Sequence, residues 1–255
     1  MDPDNQKLWY LKRIQRKVGK TVGELGLLNP GDRILIGLSG GKDSLVLLHS
    51  LKTRSINFPF VLHIEAAYVD TINMPYEIDT DFLTRFCDNL EVPFSIIKTS
   101  FNIEKESNKQ TCFICSWNRR KELFNFAQKK GCNKVALGHH KDDIVQTLIM
   151  NMAFQGSIST MPPRLKIFDG LLEIIRPLAQ ITEDECREYA SIAEFPDEKK
   201  LCPHGDDTKR KQVKEAIEIL LKFNPDARNN LYNSMSNIQE EYLPGWNIKD
   251  KDLPG

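Results

Sequence analysis

The stretch Arg33-Ile34-Leu35-Ile36-Gly37-Leu38-Ser39-Gly40-Gly41-Lys42-Asp43-Ser44-Leu45-Val46-Leu47-Leu48-His49 decides the fold. Its first six residues form a short, nearly all-apolar run, as expected of a strand buried on both faces, and the run stops at a glycine pair. The residues from Ser44 onward read as the start of a helix. At the carboxyl end of such a strand, a glycine-rich turn lets backbone N–H groups approach a phosphate at the helix N-terminus. Gly40 and Gly41 permit that approach and positive φ angles, Ser39 and Ser44 offer hydroxyls, and Lys42 offers a positive charge. The loop of P-loop kinases is excluded, because Ile36 stands where its first glycine is required and Asp43 where serine or threonine must follow the lysine.

On the N-terminal side, apolar residues at helical spacing (Leu8, Leu11, Ile14, Val18, Val22, Leu25) predict an amphipathic helix from about Gln6 to Leu28, ended by Asn29-Pro30-Gly31-Asp32. On the C-terminal side the strand–helix alternation repeats. Strands are expected at Phe60 to Val69, Val92 to Lys98, Asn133 to Gly138 and Leu172 to Ile175, and helices at Tyr76 to Leu90, Cys115 to Lys130 and Asp142 to Phe154. Parallel strands need crossovers, so helices should cover both faces of a mostly parallel α/β sheet. Beyond Thr182 the pattern is helical and charged (Glu183 to Ala193, Asp207 to Phe223, Pro225 to Tyr242). The expected organisation is an N-terminal helix at 1–30, an α/β domain at 31–180, a helical extension at 181–243 and a mobile tail at 244–255.

Lysine plus arginine equals aspartate plus glutamate, at 35 each, so nucleic-acid binding must come from local patches rather than a global field. Candidate patches are Lys12, Arg13, Arg16, Lys17 and Lys20; Arg119, Arg120 and Lys121; and Lys209, Arg210 and Lys211. Trp117, beside the second patch, can stack on a base or pack in the core. No run of about 18 apolar residues is present, and the polar, acidic start Met1-Asp2-Pro3-Asp4-Asn5 has no apolar region behind it. No membrane association and a cytoplasmic location are therefore expected, with the cysteines reduced.

Gly138-His139-His140-Lys141-Asp142-Asp143 follows a strand and opens a helix, on the same sheet edge as the phosphate loop. Its two carboxylates can cap the helix or hold magnesium, and one can serve each role. Cys112-Phe113-Ile114-Cys115 lies at a helix start, where the dipole favours thiolate, and Cys202 stands before a proline far downstream. Cys87, Cys132 and Cys186 sit in apolar contexts and read as core. The three remaining cysteines suit an iron–sulfur site with one open iron, or a zinc site if His204 completes it.

The run Ser39-Gly40-Gly41-Lys42-Asp43-Ser44 resembles the Ser-Gly-Gly-x-Asp-Ser signature of the PP-loop (N-type) ATP pyrophosphatase superfamily. That resemblance implies a Rossmann-like, adenine nucleotide alpha hydrolase-like fold and ATP cleavage to AMP and pyrophosphate. It implies that Leu38 to Ser44 hold phosphate, that Tyr68 and Val69 lie near adenine, and that Gly138 and His139 lie near the ribose or α phosphate. Catalytic roles fall to Lys42, Asp43, Asp142 and Asp143, with Asp43 and Asp142 as candidate Mg2+ ligands. Together with Cys112-x-x-Cys115, Cys202, Gly-His-His-x-Asp-Asp, Met161-Pro162-Pro163-Arg164 and Arg176-Pro177-Leu178, the chain is similar to the tRNA 2-thiocytidine synthetase family over roughly residues 10 to 240. The implied cofactor is a 4Fe-4S cluster on Cys112, Cys115 and Cys202. The implied partners are tRNA and a sulfur donor such as a cysteine desulfurase, with a homodimer left open. The runners-up are another PP-loop thiolase or ligase, acting on a tRNA uridine or a small molecule, and a non-enzymatic nucleotide-binding iron–sulfur sensor.

Overall fold

A computed structural model describes residues 2–72, 78–100, 111–196 and 208–243, with the backbone alone at 111–113 and 208. Cys202, His204 and the 244–255 segment lie outside the described residues, as does the side chain of Cys112. Six strands form one sheet: β1 (Arg33–Leu38), β2 (His63–Thr71), β3 (Phe94–Thr99), β4 (Lys134–Ala136), β5 (Arg164–Ile167) and β6 (Leu172–Ile175). Their spatial order is β3-β2-β1-β4-β6-β5, and only the β5–β6 pairing is antiparallel. The chain builds outward from β1 to β3 and then returns to the other side of β1 with β4. That reversal places a topological switch point between β1 and β4, where the crevice at the strand carboxyl ends opens.

Helices α1 (Pro3–Glu24), α2 (Lys42–Ser55), α3 (Thr80–Asn89) and α6 (Glu183–Ile192) pack on one face, and α4 (Thr111–Lys129) packs on the other. Helix α2 is buried almost all round because it lies between the sheet, α1 and α6. Leu45, Val46, Leu47, Leu48 and Leu51 are fully buried there, each contributing about 1.5–3 kcal/mol of apolar burial. Helix α1 buries Ile14, Val18 and Val22, as its periodicity predicts. It ends four residues earlier than expected because Gly26 takes a left-handed conformation (φ 57°). Helix α4 starts at Thr111, so positions 112 and 115 stand one turn apart at the start of a helix.

Helix α5 (Lys141–Gln155) carries a third apolar cluster, in which Val145 meets Val213 and Ile217 of α7 (Thr208–Phe223), with Leu231 and Tyr232 of α8 (Ala227–Ser234) packed against it. The last helix is much shorter than its pattern suggests. Hydroxyls of Ser234 and Ser236 bond the carbonyls of Leu231 (2.8 Å) and Asn233 (3.0 Å) in this Ser- and Asn-rich stretch, competing with the helical ladder.

Strand β5 is not among the expected strands. It is an edge strand with three exposed residues and no apolar alternation to reveal it. What holds it is charge. Arg164 binds Glu173 of β6, which also binds Lys134 of β4, and Lys134 lies 3.5 Å from Asp32. Lys134, Asp32 and Glu173 are all buried. Burial alone would raise the Glu173 carboxyl, but hydrogen bonds from Arg164 and Lys134 outweigh it and hold the group below the usual glutamate range. The contribution of this carboxylate is therefore full above the unfolded value and is lost as pH falls through the depressed folded one. Lys134→Met, which strands two buried carboxylates, should lower stability by about 3–5 kcal/mol at neutral pH. In denaturant titrations the gap to the native protein should narrow below about pH 4, where carboxylates protonate.

Candidate functional site

The loops following β1 and β4 meet at the switch point. In the first, Gly40 has φ 82°, and a Cβ there would lie 2.7 Å from a methyl carbon of Ile78. The Ser44 hydroxyl donates to the Gly41 carbonyl (2.8 Å) and accepts from the Ser39 N–H (3.1 Å), while the Ser39 hydroxyl accepts from the Gly41 N–H (3.3 Å). These bonds fix a turn that delivers the first N–H groups of α2, which no helix can satisfy internally, to the crevice. Lys42 Nζ lies 3.1 Å from Asp43 Oδ2. Asp43 Oδ1 is buried without a hydrogen-bond partner.

In the second loop, Gly138 lies so close to the first that a Cβ would stand 3.0 Å from the Asp43 carbonyl carbon and oxygen and the Ser44 nitrogen. His140 then caps α5. Its Nδ1 accepts from the Asp143 N–H (3.3 Å), and the Asp143 carboxylate accepts from the His140 N–H (3.1 Å). Because Nδ1 accepts, the ring proton sits on Nε2, which lies 3.9 Å from Asp43 Oδ2. Asp142 is engaged on both oxygens: one pairs with Arg228 Nε (2.6 Å) and the other accepts from the Glu183 N–H at the start of α6 (2.7 Å). Asp143 is thus the reciprocal partner of the His140 cap, and Asp142 ties three helices together. Arg228 belongs to no motif, and only the packing of α8 onto α5 reveals it.

Two cavities adjoin these loops. One, of about 250 Å³, lies on the α4 side and is lined by Leu38, Ser39, Val69, Arg119, Arg120 and His139 among others. Its apolar floor and cationic rim suit a nucleotide. Tyr68, expected near adenine, packs in the cluster on the other face of the sheet, with the guanidinium of Arg119, which lines this cavity, 5.9 Å from its ring centre. The second cavity, of about 210 Å³, is lined by Lys42, Asp43, His140, Asp142, Asp143 and Glu183, with Lys214 and Arg228.

His139 is pushed down to about 3, first by burial and then by the positive charges of Arg176, Arg120 and Arg210. It is neutral throughout the physiological range. Arg176 Nε donates to its Nδ1 (3.3 Å), leaving the proton on Nε2.

Cys115 is buried near the N-terminus of α4. Cys87, Cys132 and Cys186 are buried as expected, and burial pushes each thiol up, Cys87 to about 12. Among the described residues no group of three or more His, Cys, Asp or Glu side chains could hold a metal. Of the first basic patch, Lys17 pairs with Glu185 (2.6 Å), Lys20 with Glu24 (3.4 Å), and Arg13 lies over Trp9 and Tyr10.

Residues 10–197 match a PP-loop domain family. The tRNA-cytidine(32) 2-sulfurtransferase of Shewanella denitrificans is 38% identical over 231 residues, covering 89% of this chain and 71% of that protein. The protein of the same name from Herminiimonas arsenicoxydans is 36% identical over 255 residues, covering 96% and 77%. Among solved structures, a U34-tRNA thiolase of Methanococcus maripaludis with its [4Fe-4S] cluster superposes with a TM-score of 0.75 and 25% identity, over 96% of this chain and 85% of that one.

The contact between the two loops is testable. Gly138→Ala must push the Asp43–Ser44 peptide by a few tenths of an ångström. Such a misplacement should lower ATP turnover about tenfold, less than the roughly hundredfold of a 1 Å displacement, read as pyrophosphate release, with the fold intact by circular dichroism.

Proposed function

Because the chain belongs to the PP-loop family and, within it, to the family of the tRNA-cytidine(32) 2-sulfurtransferases, we propose that it is an ATP-dependent tRNA thiolase that converts an anticodon-loop cytidine to 2-thiocytidine. The observation that carries this reading is the meeting of the Ser39 to Ser44 loop, the Gly138 to Asp143 loop and the start of α4 around one crevice.

An amide-like oxygen is a poor leaving group, and adenylation solves that problem. Leu38 to Ser44 hold the triphosphate, with Val69 against the base side and the neutral His139 Nε2–H donating toward the ribose or α phosphate. The cytidine C2 oxygen attacks the α phosphorus, a P–O bond forms, and pyrophosphate departs from the loop. Sulfur at the sulfide level then adds at C2, and the C2–O bond breaks with AMP as leaving group. Lys42 offsets charge on the pyrophosphate side.

Mg2+ suits Asp43, whose Oδ1 has no protein partner, and would neutralise phosphate charge there. Asp142 acts instead as a positioning residue, since both of its oxygens already have protein partners. Cys112, Cys115 and Cys202 would hold a 4Fe-4S cluster: three thiols leave one iron without a protein ligand, and Cys115 sits near the N-terminus of α4, where a thiolate is favoured. When bound, the cluster supplies the sulfur chemistry. A sulfur donor such as a cysteine desulfurase and a cytoplasmic, thiol-reducing setting complete the reading. No helix of the described residues is long and apolar enough to cross a membrane.

A uridine target is the second reading, favoured by the U34-tRNA thiolase superposition. Nucleoside mass spectrometry of tRNA from a deletion strain separates the two. Loss of 2-thiocytidine, restored by the native gene but not by Asp43→Asn, is expected; loss of a thiouridine with 2-thiocytidine intact would overturn the cytidine assignment. In vitro, Asp43→Asn should abolish pyrophosphate release while the fold survives, because the substituted group has no hydrogen bond to lose at Oδ1. Anaerobic preparations should carry about four irons per chain, and Cys115→Ser should lose them.

A further inference from the structure

Arg176 is a buried cation, 6% exposed, whose described bonds go to two neutral groups, the His139 ring and the Pro162 carbonyl. No carboxylate of the described residues forms an ion pair with Arg176, Arg120 or Arg210. These three come from different parts of the fold: α4, the turn after β6, and the first turn of α7. They repel one another. Arg120 is lowered by partial desolvation and then by Arg210, and Arg176 is lowered to about 10 by burial and then by Arg120, with only Asp143 acting in the opposite sense. Arg210 also stands with Lys209 and Lys211 at a helix N-terminus that has no acidic residue in its first turn, where the dipole disfavours cations. Arg176 is buried without a counter-ion, which is costly, while Arg120 and Arg210 are exposed beside it, so an anion seated on the two exposed guanidinium groups would offset the charge of all three.

The surroundings point to the kind of anion. On α4, Trp117 is 51% exposed, with Lys121 Nζ 5.4 Å from its ring centre, and it precedes Arg120 by three residues on the same helix face. At the end of α5, Phe154 is 45% exposed, with Lys209 Nζ 5.2 Å from its ring centre. Exposed aromatic rings bordering clustered arginines are the pattern that binds single-stranded nucleic acid, with rings for bases and guanidinium groups for the backbone.

We propose that Arg120, Arg176 and Arg210 form a phosphodiester subsite for single-stranded RNA, flanked by Trp117 and Phe154 as stacking platforms. This rests on the reading of the chain as a tRNA thiolase and assigns the surface by which the loop enters. Since Arg120 also lines the cavity given to the nucleotide, the target base would be held beside the activating phosphate.

The test uses the full-length protein, purified anaerobically, and an in vitro transcribed tRNA, with binding measured by fluorescence anisotropy across a salt series. Arg210→Gln should weaken binding about tenfold and reduce the slope of log K against log salt by about one. Trp117→Ala should weaken binding about tenfold with the slope unchanged, because stacking carries no counter-ion release. Lys222→Gln, at the far end of α7, should alter neither. ATP affinity should be unchanged in Arg210→Gln. An unaltered slope in a folded Arg210→Gln would overturn the subsite, and so would a parallel loss of ATP affinity, which would reassign the arginines to the nucleotide. Native protein that thiolates tRNA while Arg210→Gln keeps the full slope defeats this inference alone. Native protein that binds no tRNA defeats it together with the functional reading.

Discussion

The site depends on one close contact, the backbone of Gly138 laid against the Asp43–Ser44 peptide. Two strands that are neighbours in space but distant in sequence end at this contact, and only a residue without Cβ lets their loops touch. With that contact made, the N-termini of α2 and α5 open into the same crevice, and their unsatisfied N–H groups and dipoles act on one volume. The core behind them serves the same end. Helix α2 is locked between sheet, α1 and α6 by five fully buried aliphatic side chains, so the turn at its start has little freedom to drift.

From that contact the charges sort to two sides. Around the start of α5 lie Asp43, Asp142, Asp143 and Glu183; the last three are committed to a cap, a helix tie or an ion pair, and Asp43 pairs with Lys42 through Oδ2 and keeps Oδ1 without a partner. On the α4 side lie Arg119, Arg120, Arg176 and Arg210 around a histidine that cannot take a proton near neutrality. A metal-bearing phosphate fits the acidic side, and a polyanion fits the cationic one. A neutral His139 is what this division requires: a fifth cation among the four arginines would add repulsion, whereas a neutral N–H still offers a donor.

Much of this was legible in the sequence, and what was hidden has a physical pattern. The loop at Ser39 to Ser44 and the strand–helix alternation were plain because backbone geometry imposes residue types there: glycine at positive φ, apolar runs in buried parallel strands. The pairing of Asp142 with Arg228 was hidden because it links residues 86 positions apart through the packing of α8, and no local periodicity encodes a tertiary ion pair. Strand β5 was hidden because its order comes from Arg164 and Glu173 rather than from alternation. The two aspartates could be assigned to capping or chemistry only when Asp143 was seen in the cap and Asp142 on α6 and α8. Strand alternation sends Tyr68 to the face opposite Val69.

Overall neutrality leaves nucleic-acid binding to local patches, and the fold shows how such a patch can arise in a neutral chain. Many of the carboxylates are spent inside the molecule: Asp32 and Glu173 on Lys134 and Arg164, Glu185 on Lys17, Asp142 on Arg228, Glu183 on Lys214. Each of these pairs cancels locally and projects little field into solvent. The arginines at 120, 176 and 210 have no such partner among the described residues, so no described carboxylate cancels them. A zero sum over the chain is therefore compatible with a locally positive cluster at Arg120, Arg176 and Arg210, where the proposed RNA subsite lies. Net charge describes the whole molecule, whereas recognition depends on which charges the fold has left without a counter-ion.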